Sequence, residues 1–203
     1  PGRWRTHRTP YLKEPMDRFT DPLIEKIVLC FGAQIGKTET ELNMIGYALD
    51  QTASPVMMVY PTDAIAKFAS DKRVQPMIKS VKSINDKFDE NSKLLELDFN
   101  NGNYMVLVGA NSPSSLSSRS IKYLFFDEID KYPAFAGKEA DPIKLATERT
   151  KTFVDKKIVM VVGGGEGLKS TLAIVNAFIF QRCPAHLIVI CGKNKVLKTQ
   201  LEI

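Results

Sequence analysis

The stretch Phe31-Gly32-Ala33-Gln34-Ile35-Gly36-Lys37-Thr38 carries the residue types that hold a nucleotide's phosphates. Gly36 lets backbone N–H groups approach phosphate oxygens, and a following helix offers unpaired amide donors and the positive end of its dipole. Lys37 can reach the β- and γ-phosphates as a point charge, and the Thr38 hydroxyl can hold Mg²⁺. Gly32, Ala33, Gln34, Ile35 and Glu39 complete the loop and its exit, and are expected to line the same phosphates. The usual pattern has a further glycine where this chain has Phe31, and a Gly-Lys-Thr tripeptide also arises in chance turns. A second motif decides between these readings. Tyr123-Leu124-Phe125-Phe126 is an apolar strand that runs straight into Asp127-Glu128. A buried strand delivers its last residues to the carboxyl edge of a sheet, where open α/β sheets bind ligands. Asp127 can hold the Mg²⁺ there, and Glu128 can orient or deprotonate an attacking water. A solvated Asp-Glu turn would also end a strand, but its occurrence downstream of a phosphate loop points to ATP hydrolysis.

The remaining pattern supplies elements to position these groups. Lys26 to Phe31 reads as the strand before the loop, and Leu42, Ile45 and Leu49 give a helix from Glu39 to Leu49 its core stripe. Pro55 and Pro61 bracket a second apolar run, Val56 to Tyr60. Thr62 and Asp63 then cap a helix carrying Ile65, Phe68 and Ala69. Leu94 to Phe99 and Tyr104 to Val108 flank Asn100-Asn101-Gly102-Asn103, which predicts an inserted or edge β-hairpin. A Ser-rich loop, Asn111 to Arg119, leads into the carboxylate strand. Such a loop can supply hydroxyls and an arginine to a nucleotide, or it can be only a connection. Lys131 to Glu139 reads as a mobile loop, Asp141 to Thr152 as a helix, and Lys157 to Val162 as a further strand. Strand–helix alternation predicts an α/β fold, a mainly parallel sheet with flanking helices.

The chain has 203 residues, 44% hydrophobic and 25% charged, which suits one α/β domain and excludes a largely disordered chain. The net charge of +5 is compatible with a polyanionic partner. Its densest basic spot is Arg3, Arg5 and Arg8 with Trp4 and His7 between them. That segment could grip phosphates and stack on bases, or be a solvated leading arm. Three cysteines, Cys30, Cys183 and Cys191, have no metal-ligand spacing and imply no disulfide framework, so a reducing cytoplasm is expected. The apolar run Leu172 to Phe180 is too short to span a bilayer, and no membrane association is expected.

Several stretches together resemble the lambda-like large terminase subunits of tailed bacteriophages. They are Pro1 to Thr6, Thr9 to Met16, Phe31 to Glu39, Val59 to Thr62, Val108 to Pro113 and Phe125 to Pro133, in family order over roughly residues 1 to 160. The resemblance implies a P-loop NTPase domain of ASCE type, the ATP-driven motor that packages double-stranded viral DNA into a preformed capsid in the bacterial host. It implies Lys37 and Thr38 as phosphate and Mg²⁺ ligands, Asp127 as the metal carboxylate and Glu128 as the catalytic carboxylate. Tyr11 stands where relatives place a residue near the adenine, with Glu14 close by. Many relatives have Arg where this chain has Ala33, so that role falls to Arg119 or to a neighbouring subunit. The small terminase subunit, the portal and capsid, and further copies of the subunit are the implied partners.

The resemblance stops after Val161, where Val162-Gly163-Gly164-Gly165-Glu166-Gly167-Leu168 replaces the family's Ser/Thr-Pro coupling segment. The expected organisation is therefore an ATPase domain over 1–162 and an unrecognised tail over 163–203. The family's nuclease domain is expected to be absent. A helicase-type ATPase fragment shares the loop, the paired carboxylates and the sheet, and a nucleotide-binding remnant without turnover would share them too.

Overall fold

The computed structural model describes residues 4–31, 34–137, 140–163, 185–192 and 195–202. Continuous apolar runs have no face to leave in water, so each must be covered on both sides. They become β1 (Lys26–Phe31), β2 (Val56–Tyr60), β4 (Tyr104–Gly109), β5 (Tyr123–Phe126) and β6 (Lys157–Val162), joined by the short edge strand β3 (Glu96–Asp98) and by β7 (Ala185–Gly192) and β8 (Lys195–Glu202). The helices are α1 (Lys13–Phe19), α2 (Lys37–Gln51), α3 (Asp63–Ala69), α4 (Gln75–Ser80), α5 (Lys82–Asn85), α6 (Pro113–Ser117) and α7 (Pro142–Glu148).

The strands form one sheet in the order β3-β4-β2-β5-β6-β1-β7-β8. The six from β4 to β7 pair in parallel, and β3 and β8 close the two edges antiparallel. The two-residue period of each strand splits its side chains between two cores. Ile27, Leu29, Met58, Phe125, Val159 and Val161 pack with α1 and α2 residues such as Phe19, Ile45 and Leu49. Val28, Cys30, Val59, Leu124, Phe126 and Met160 face the other way, against Leu116, Ile143 and Ala146 of α6 and α7. Cys30 is the buried small hydrophobe expected, and burial pushes its thiol up to about 11.

Three expectations are altered. The Asn-Gly hairpin forms, with Gly102 at φ 81°, but β4 is an interior strand whose other side pairs in parallel with β2. The segment after Glu128 is anchored: Tyr132 donates its hydroxyl to the Val59 carbonyl at 2.7 Å, and Ala136 is buried. Beyond residue 162, β7 lies against β1 and so extends the sheet past the expected domain boundary.

The end of β4 and the start of α3 approach closely at the ligand edge of the sheet. The Gly109 amide donates to Asp63 Oδ1 at 2.8 Å. A Cβ on Gly109 would lie 2.3 Å from the Asp63 nitrogen, and backbone cannot swing aside as a side-chain tip can. Gly109→Ala is expected to destabilise the fold by about 1–3 kcal/mol through overpacking. Denaturant unfolding with an unchanged midpoint would contradict this geometry.

Candidate functional site

Two turns meet at the carboxyl edge of the sheet, one leaving β1 for α2 and one leaving β5. The first needs left-handed backbone at Gln34 (φ 57°) and Gly36 (φ 92°). A side chain on Gly36 would press on the tip of Leu12, 2.9 Å away, and it is the left-handed φ that calls for glycine there. The Tyr11 hydroxyl donates to the Ile35 carbonyl at 3.0 Å while its ring packs on the core. Tyr11 therefore holds the loop from beneath. Gly32 and Ala33, both expected to line the phosphates, lie outside the described residues.

Lys37 opens α2 and turns its ammonium across the edge. Its Nζ donates to Glu128 Oε1 at 2.9 Å, with the two side chains 15% and 24% exposed. Lys131, three residues after Glu128 on a 3-10 turn, donates to Oε2 at 2.7 Å. Glu128 is thus clamped between two cations. It also sits in left-handed backbone at φ 52°, a conformation that a non-glycine residue holds at a cost of about 1–3 kcal/mol. Burial opposes ionisation of Glu128, but the hydrogen bonds from Lys131 and Lys37 outweigh it and keep the carboxyl below its usual range.

Asp127 is its buried counterpart. It is 8% exposed, and its Oδ1 has no hydrogen-bond partner. Burial, then repulsion by Glu128, pushes its carboxyl up to about 6 against the pull of Lys37 and Lys131. An acid in that state gains by receiving a cation. Thr38 lies half-buried in the first turn of α2, with Glu39 exposed beside it.

Sequence reasoning missed Lys131 and Glu41. Lys131 is signalled only by its spacing of three from Glu128. Glu41 is wholly buried on the α2 face that carries Met44, Ile45 and Ala48, and neither carboxyl oxygen has a hydrogen-bond partner. Burial, then repulsion by Asp127, drives its carboxyl well above the usual range, with only Lys37 pulling the other way. The available signal was an acid at helical spacing within an apolar stripe.

Arg119 is a correction. The chain leaves β4 at the carboxyl edge, but α6 carries it back, and Arg119 pairs with Glu96 of β3 at 2.9 Å over the Tyr104 ring. Tyr104 stands at the amino end of β4, where its hydroxyl also donates to the Ser120 carbonyl, and Glu96 lies on the edge strand β3, with β4, β2, β5 and β6 between it and β1. Arg119 is therefore remote from Lys37 and Asp127. In the leading arm, Trp4 is packed against the core with its indole N–H on Thr6 Oγ1 at 3.1 Å, so its ring is not free to stack, while Arg5, His7 and Arg8 are exposed. No helix among the described residues is long and apolar enough to cross a membrane.

A family model described as "Phage terminase large subunit gpA, ATPase domain" matches residues 1–177. The large terminase subunit of Enterobacteria phage P21 is 24% identical over 213 residues, covering 98% of this chain and 32% of that protein. The chain thus spans about a third of the curated relative it matches. Among solved structures, the HK97 bacteriophage large terminase superposes with a TM-score of 0.68 at 13% identity, covering 96% of this chain and 41% of that one. A large terminase from a thermophilic bacteriophage, in complex with ADP, gives a TM-score of 0.57 at 15% identity over 76% of this chain and 38% of that one.

Proposed function

Since its residues 1–177 match that model, the chain belongs to the family of phage terminase large subunit gpA ATPase domains, and we propose that it hydrolyses Mg²⁺-ATP to drive viral DNA into a capsid. The carrying observation is the Lys37–Glu128 ion pair at the carboxyl edge, next to the unpartnered oxygen of Asp127. A nucleotide bound here meets the amide donors opening α2 and the Lys37 ammonium. Phosphates then take Lys37 from Glu128, and Lys131 alone keeps that carboxylate oriented. Freed on one oxygen, Glu128 can accept a proton from the attacking water. The ADP complex of the thermophilic bacteriophage's terminase supports a nucleotide at this kind of fold.

The residues fit a divalent cation. Among the described residues no group of three or more His, Cys, Asp or Glu is gathered as a metal cage. Mg²⁺ needs none, since it binds through one or two carboxylates together with phosphates and water. Asp127 and Thr38 would hold it, and when bound it neutralises charge on the β- and γ-phosphate oxygens. In this reading double-stranded viral DNA, a small terminase subunit, the portal and further copies of the chain are the partners, in the cytoplasm of a bacterial host.

Lys37→Ala tests the site. The substitution removes a charge-assisted contact worth about 1.5–3 kcal/mol, roughly a 10- to 150-fold loss of affinity. Calorimetry with a slowly hydrolysed ATP analogue should show that loss. Equal affinity for the two proteins would sink the assignment of Lys37 and the loop.

A further inference from the structure

Among the described residues only two carboxyl side chains are buried, Glu41 and Asp127, and both have oxygens without a hydrogen-bond partner. Glu41 lies one turn along α2 from Lys37, whose ammonium reaches Glu128, the neighbour of Asp127 at the end of β5, and a charge on Asp127 disfavours ionisation of Glu41. Glu41 has no structural reason to be acidic. Its neighbours along the buried face of α2 are Met44, Ile45 and Ala48, where an apolar side chain would pack without loss. A buried polar group left without a partner costs about 1–3 kcal/mol, and such a group calls for a functional account.

Metal-binding side chains are themselves held by outer partners, and a metal carboxylate with a free buried oxygen lacks one. Lys37 and Lys131, the nearby cations, are both engaged with Glu128. We propose that Glu41 is that outer partner, a positioning residue that hydrogen-bonds the unpartnered Asp127 oxygen through one buried water, and so fixes Asp127 toward the cation. A water held between the two carboxyls can donate to both of them, so each oxygen left without a partner gains one. The inference rests on the nucleotide-site reading above and adds to it a residue that neither the loop nor the paired carboxylates contain.

The test uses the full chain with Mn²⁺ as probe, its binding followed by electron paramagnetic resonance at saturating ATP analogue, and thermal melts of the metal-free protein alongside. Glu41→Met, close in volume and apolar, should weaken Mn²⁺ binding about 10- to 100-fold, the usual effect of losing an outer-sphere partner. It should melt at or above the wild-type temperature, because an unpaired buried acid has gone. Glu41→Gln keeps both a donor and an acceptor and should bind Mn²⁺ nearly as the wild type does. A merely structural glutamate would move the melt and leave the Mn²⁺ affinity alone. Unchanged affinity in Glu41→Met, or a loss in Glu41→Gln as large as in Glu41→Met, would overturn the proposal. Loss of folding in both Glu41→Met and Glu41→Leu would also overturn it, by making Glu41 a residue of the fold. A wild-type chain that binds no Mn²⁺–nucleotide would take down the site reading itself, whereas binding with an insensitive Glu41→Met would take down this inference alone.

Discussion

Glu128→Gln should bind ATP about as tightly as the wild type and hydrolyse it roughly 10²–10⁴-fold more slowly, the usual contribution of a positioned general base. The two effects separate because Glu128 touches no phosphate in the proposed mechanism. In the free protein it holds Lys37 at 2.9 Å and Lys131 at 2.7 Å, so the glutamine weakens a pair that nucleotide has to break anyway. The cradle itself, Gly36 and the opening of α2, is untouched. The amide is close in shape to the carboxylate, so the left-handed turn at Glu128 should survive as well. Phosphate release measured beside calorimetry reads both quantities. A variant that turns over at the wild-type rate would remove Glu128 from the chemistry, and one that binds poorly would make it part of the cradle.

The parts of this site that were legible in the sequence are those where local chemistry and position coincide. Asp127 and Glu128 end one continuous apolar run, Lys37 and Thr38 follow the loop that leaves another, and in a parallel sheet all such ends share one edge. The strands β1, β2, β5 and β6 were legible for the same reason: a run buried on both faces has almost no polar interruption. The turn and strand pairing of the β3–β4 hairpin were visible in Asn-Asn-Gly-Asn, but a turn specifies only the strand on its own side. That β4 also pairs with β2 is a long-range fact.

Arg119 shows the opposite limit. Its loop begins at the ligand edge, and nothing in Ser114 to Ser118 says that five residues of α6 return the chain to the far end. An arginine near a motif in sequence is therefore engaged beside β3 and β4 instead of at the phosphate loop. The cap at Thr62 and the spacing of Ile65, Phe68 and Ala69 marked α3, which buries Ala66 and Ala69. Glu41 was hidden beside a legible stripe: Leu42, Ile45 and Leu49 announce a core face, and the acid next to them looks like surface until α2 is seen to be buried on that side too.

Turnover by this chain alone is expected to be slow, and to rise when it is mixed with full-length subunits or DNA. Charge on the transferred phosphoryl group is spread over its oxygens, and an arginine stabilising it contributes roughly 10³–10⁵ in rate in other NTPases. The cations that the structure brings onto Glu128 are both lysines, Lys37 and Lys131. A lysine is a compact point charge, whereas a guanidinium offers a planar fork that matches two oxygens at once. Arg119, the in-chain substitute suggested by the sequence, is engaged with Glu96 at the other end of the sheet. With Arg119 engaged there, the arginine is expected from a neighbouring subunit, which would couple hydrolysis to assembly. Phosphate release per chain should accordingly climb with protein concentration and climb further on adding full-length subunits and double-stranded DNA, toward that roughly 10³–10⁵ range. A dilute monomer hydrolysing ATP on the order of tens of times per second, with a rate per chain independent of concentration, would mean the chain completes its own site and would rule out the neighbour's arginine.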